Sequence, residues 1–91
     1  MTDLTNVKNF ELKEAIGDGE GECTSTYPVA VVKSLPKVDK RILAYNFNGK
    51  VYGKVKSIRP DFEHDFVANK EFYRVYFLLD NNIEREIIVT L

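Results

Sequence analysis

A single cysteine, Cys23, is the first scarcity in this chain of 91 residues. It excludes an intramolecular disulfide, so the fold must be held by its core, which fits a reducing compartment. One cysteine with one histidine, His64, also falls short of the usual zinc ligand sets. No apolar run approaches the ~20 residues that a membrane helix needs. The first residues, Met1-Thr2-Asp3-Leu4-Thr5, carry neither the basic nor the apolar region of a signal peptide, and a cytoplasmic location is expected. Excess charge of one sign is missing too. Thirteen basic residues stand against 14 acidic ones, a formal net charge of -1, which argues against nucleic-acid binding by bulk charge alone. There is no internal repeat, no serine-hydrolase elbow and no dinucleotide fingerprint.

What is present suits one domain spanning 1–91, with residues 1–9 expected to be flexible. Phe10, Leu12 and Ile16 share a face as a strand, whereas Leu12 and Ile16 would align in a helix; strand is the favoured reading. Three glycines within Gly17–Gly21 end that element. Those glycines lack the lysine and hydroxyl residue of a phosphate loop. Read as a calcium loop from Asp18, Cys23 would replace the required glycine and Val29 the required glutamate. Tyr27–Val32 is a β-branched run with Pro28 at its start.

Two hairpins follow. Asn48-Gly49 suits a two-residue turn with positive φ at both positions. That turn sets Tyr45 opposite Tyr52, Phe47 opposite Lys50 and Leu43 opposite Lys54. One face then holds Ile42, Ala44, Val51, Gly53 and Val55 as core. The other holds Leu43, Tyr45, Phe47, Lys50, Tyr52 and Lys54. The second hairpin, Phe72–Leu79 with Ile83–Leu91, turns through Asp80–Asn82. Tyr73, Val75, Phe77, Leu79, Ile83, Ile87, Val89 and Leu91 are placed inside, with Arg85 as the misfit at the barrel mouth. Arg74, Tyr76, Leu78, Glu84, Glu86, Ile88 and Thr90 are placed outside. Between the hairpins lies a charged loop, 59–71, in which Phe62 and Phe66 at i, i+4 suggest a helical turn packed on the barrel. The expected fold is all-β: a small antiparallel barrel or roll of five or six strands, near 10–16, 27–33, 41–47, 50–58, 72–79 and 83–90.

Tyr45, Phe47, Lys50, Tyr52 and Lys54 are the candidate partner-binding residues. Tyrosine and phenylalanine supply area to desolvate, and lysines orient an incoming protein; the plain alternative is a face covered by the chain itself. The same mixture suits base stacking and phosphate contact, so a nucleic-acid-binding barrel is the second reading. Asp61, Glu63, His64 and Asp65 form the only cluster suited to metal-dependent or acid–base chemistry, at no recognised ligand spacing. No catalytic residue, metal ligand or cofactor is assigned, and Cys23, beside Glu20 and Glu22, is a poor nucleophile.

The run Ile42–Val55, followed by Tyr73-Arg74-Val75-Tyr76-Phe77 and Asp80, resembles Tudor-type SH3-like barrels over about the last fifty residues. The resemblance implies an SH3-like barrel and an aromatic cage for methyl-lysine. Tyr52 and Phe77 match cage aromatics and Asp80 the acidic member. Asn46 and Ile83 stand where two further aromatics would be, which leaves the cage incomplete. The function expected overall is a non-enzymatic adaptor or inhibitor that binds another protein.

Overall fold

Seven strands make up the regular structure of this chain, here a computed structural model that describes residues 2–15, 22–46 and 49–91. They are β1 (Thr2–Leu4), β2 (Val7–Ala15), β3 (Glu22–Val31), β4 (Arg41–Asn46), β5 (Gly49–Pro60), β6 (Phe72–Leu79) and β7 (Glu84–Thr90). The all-β expectation holds. Gly17–Gly21 lies outside the described residues, as does the side chain of Cys23. No helix occurs among the described residues, so none is long and apolar enough to cross a membrane.

The architecture differs from an antiparallel barrel. The strands form one open sheet in the order β1-β4-β5-β6-β7-β3-β2. It is mixed, because β1 runs parallel to β4 and β3 runs parallel to β7. Residues 2–4, expected to be flexible, are a strand whose Leu4 is fully buried. The edge strands β1 and β2 are separated in the chain by Thr5 and Asn6 alone. A link of that length spans roughly 10 Å, so the sheet must curl until its edges stand close. Asn6 continues the β2–β3 ladder, its carbonyl accepting a hydrogen bond from Val31 N at 2.8 Å. The curl encloses Leu4, Ala30, Ile42, Val55, Val75 and Val89, all without exposure.

The first hairpin pairs two residues away from the expected register. Asn46 lies opposite Gly49, Tyr45 opposite Lys50, Leu43 opposite Tyr52 and Arg41 opposite Lys54. Side chains alternate with period two, so the shift leaves the two faces unchanged. Gly49 becomes the last paired residue, at φ +111°, with nothing within 4 Å of where a Cβ would stand. Gly53 is needed for another reason: a Cβ there would meet the Leu78 carbonyl oxygen at 2.8 Å. A bulge between Val55 and Ser57 then turns Ile58 toward the core opposite Val75.

The second hairpin has the expected three-residue loop. Leu79 N donates to Ile83 O at 2.8 Å and Asn82 N to Leu79 O at 2.9 Å, with Asn82 at φ 66°. The expected faces need correction on β7. Ile88 and Thr90 are buried, whereas Ile83 and Leu91 are exposed. β7 is covered on both sides at its C-terminal end. One side faces the curled core; on the other, Ile88 packs with Val29 and Phe72, joined by Phe10, Tyr27, Phe66 and Ala68. Arg85, opposite Phe77, is exposed.

The 59–71 segment also departs from expectation. β5 runs on to Pro60, and no helical turn forms. Residues 65–67 instead dock on β2: Leu12 and Phe66 form a bridge, Lys13 N donates to Asp65 O at 2.9 Å, and Val67 N donates to Glu11 O at 2.8 Å. Phe66 stacks on Phe72 with ring centroids 4.0 Å apart, while Phe62 stays 89% exposed.

Candidate functional site

Alternation along β5 sends Val51, Gly53 and Val55 inward and Lys50, Tyr52 and Lys54 outward. The three outward residues are exposed, Tyr52 by 41%. Tyr45 pairs with Lys50 in the ladder; its side chain, and all of Phe47 and Asn48, lie outside the described residues. The structure therefore brings Lys50, Tyr52 and Lys54 onto one outer face.

Two neighbours that sequence reading did not assign to this surface shape it. Arg41 lays its guanidinium 5.0 Å from the centre of the Tyr52 ring, a cation–π contact. Asp80 holds that guanidinium at 2.7 Å, and its backbone N donates to Tyr52 O at 3.2 Å. Lys54 stands 4.0 Å from Asp39. Both ion pairs are solvent-exposed, so each adds little stability, about 0–1 kcal/mol. The Arg41–Asp80 pair holds the guanidinium against the tyrosine ring. The signal for Arg41 was available in parity, since it shares a face with Leu43 two residues on; its reach to Asp80, 39 positions away, was not.

Of the residues matched to an aromatic cage, Tyr52 and Asp80 are neighbours, joined through Arg41, and Phe77 lies apart from them. Tyr52 faces outward, whereas Phe77, opposite Val55, is 4% exposed and lies in the core. Asp80 is engaged by Arg41.

The acidic loop gathers Asp61, Glu63 and His64 around a residue from β6. The Asp61 side chain has no exposed surface. Its Oδ2 lies 2.8 Å from His64 Nδ1, and its Oδ1 accepts from Arg74 Nε at 3.2 Å and from Glu63 N at 3.1 Å. Arg74 also bonds Glu63 and stands 3.5 Å from Glu86 and 3.5 Å from the Tyr76 hydroxyl. The hydrogen bond to Tyr76, followed by Glu63 and Glu86, holds the guanidinium more firmly protonated than usual, against the opposing effect of desolvation. Arg59 reaches the same hydroxyl at 2.9 Å. The His64 ring lies 4.7 Å from Tyr27 and 5.6 Å from Phe66.

Chemically, this arrangement pins a loop. Arg74 pairs with both Asp61 and Glu63, and among the described residues no three His, Cys, Asp or Glu converge as ligands. Asp65 contributes its carbonyl to Lys13. The Asp61–His64 contact orients the imidazole.

The chain matches no family model, and no curated protein or solved structure compared with it is similar.

Proposed function

We propose that this protein is a non-enzymatic binding module that docks another protein on the outer face of β4 and β5. Tyr52 is its apolar anchor, with Lys50 and Lys54 at the rim; Tyr45 and Phe47 are assigned to the same face by sequence alternation alone. The observation that supports this reading is an exposed tyrosine set between exposed lysines and braced by Arg41 and Asp80. An aromatic ring already fixed by its neighbours loses little rotamer freedom when covered, which is what makes tyrosine an effective anchor. A partner held this way would have one of its own sites occupied, the action of an adaptor or inhibitor.

A second reading rests on the same strand. β5 carries the exposed cations Lys50, Lys54, Lys56 and Arg59 and no acidic residue, which suits a phosphate backbone. Affinity capture with the whole chain, with and without nuclease, separates the two. Protein docking predicts that one partner survives nuclease and is lost with Tyr45→Ala plus Tyr52→Ala, while the thermal melt stays cooperative. Phosphate contact predicts that capture fails after nuclease and weakens steeply with salt. Unchanged capture by the double variant overturns the assignment of this face.

A further inference from the structure

The segment from Asp61 to Phe72 closes on itself, because Asp61 N donates to Phe72 O at 2.9 Å. Its interior is a groove of about 480 Å³, within the size range of ligand sites. The groove is preformed. Asp61 is tied to Arg74 and His64, Phe66 is bridged to Leu12, and the Glu71 carbonyl accepts from Thr90 Oγ1 at 2.8 Å. On this fixed frame Phe62 is left 89% exposed. Complete burial of such a ring is ordinarily favourable, so a rigid loop that presents it to water invites a partner to cover it.

We infer that this groove binds an arginine or lysine side chain from an extended segment of a partner protein. Phe62, exposed on its wall, offers an aromatic face and apolar contact to a long alkyl stem. Asp65 and Glu71 also line it, and neither has a cationic partner among the described residues. The lysine on the wall, Lys70, gives its ammonium to the Leu91 carbonyl at 3.1 Å. Tyr73 donates its hydroxyl to Glu71 at 2.7 Å, which holds one carboxylate in place. Two acids without a cationic partner, one of them held by Tyr73, favour a cation beside the exposed Phe62 ring, and that ring favours a cation on an alkyl chain over a bare metal ion. The site does not rest on the β4–β5 proposal and is read out at different residues.

The test is an NMR titration of the isotope-labelled chain with a short glycine–arginine repeat peptide and its citrulline counterpart, which keeps the shape and loses the charge. The arginine peptide is expected to shift the Phe62, Phe66 and Tyr73 ring signals saturably. The citrulline peptide should bind at least about tenfold more weakly, a loss of one decade in Kd. Phe62→Ser and Asp65→Asn should each remove the shifts without moving the Tm. Equal binding of the citrulline peptide overturns the inference. So does the absence of a saturable shift at these rings, or a response confined to other acidic residues such as Glu84.

Discussion

The guanidinium of Arg74 stands 3.2 Å from the Asp61 carboxylate, whose side chain has no contact with water. This pair joins β6 to the loop that follows β5, and with it the aromatic stack of His64, Phe66 and Phe72. Removing Arg74 leaves the buried Asp61 carboxylate with His64 and the Glu63 amide as its remaining partners. Arg74→Leu is therefore expected to cost about 3–5 kcal/mol. A domain of this size has about 5–10 kcal/mol in all, so the loss is large. The double variant Asp61→Asn with Arg74→Leu should lose less than the sum of the two single changes. Urea denaturation of the three variants measures both quantities.

Gly49 and Gly53 fail for different reasons when substituted. Gly53→Ala pushes a methyl group into the Leu78 carbonyl and should cost about 1–3 kcal/mol by overpacking. Gly49→Ala has open space but a strained φ, and about 1–2 kcal/mol is expected. Gly49→Val should be worse, since a β-branched side chain tolerates positive φ least. An unchanged Tm for Gly53→Ala would refute the close approach of β5 to β6.

Ile88 and Ile83 should exchange the roles that strand parity assigns them. Ile88 is fully buried against Val29 and Phe72, so Ile88→Ala is expected to cost about 2–5 kcal/mol. Ile83 is exposed in the turn region, and Ile83→Ala should stay within about 0.5 kcal/mol. Chemical denaturation of the pair decides between a sheet covered on both sides of β7 and one covered on a single side.

The Tyr73 phenol should titrate above its ordinary value of 10.0, first because its hydroxyl donates to Glu71 and then through desolvation and the Glu71 charge. A raised folded-state pKa means that its stabilising effect is complete below about pH 10 and fades as pH rises through the higher value. Glu71→Gln should return the phenol toward its ordinary range in an ultraviolet titration. No change in that variant would show that the carboxylate does not set it.

Much of this fold was legible locally. Alternation in Ile42–Ala44 and Val51–Val55 placed those residues on their faces, and the faces survived a two-residue slip because two is the period of a strand. Asp80–Asn82 was legible because a two-residue loop at Asn81-Asn82 would set Leu79 opposite Glu84 and mix the faces; the structure puts Asn82 of that loop at φ 66°. Lys50, Tyr52 and Lys54 were placed on their shared outer face by the same alternation.

What the chain alone determined is therefore six of the seven strands, the faces of β4 and β5, and the second turn, since each depends on neighbours a few positions away. Tertiary structure decided the parallel pairing of β1 with β4 and of β3 with β7, the docking of Phe66 on β2, and the burial of Ile88. Leu4 meets Ala44, and Ala30 meets Val89, across 40 or more positions. Such partners are selected by the packing of the whole sheet, and a local pattern of apolar residues is the same whichever strand arrives to cover it.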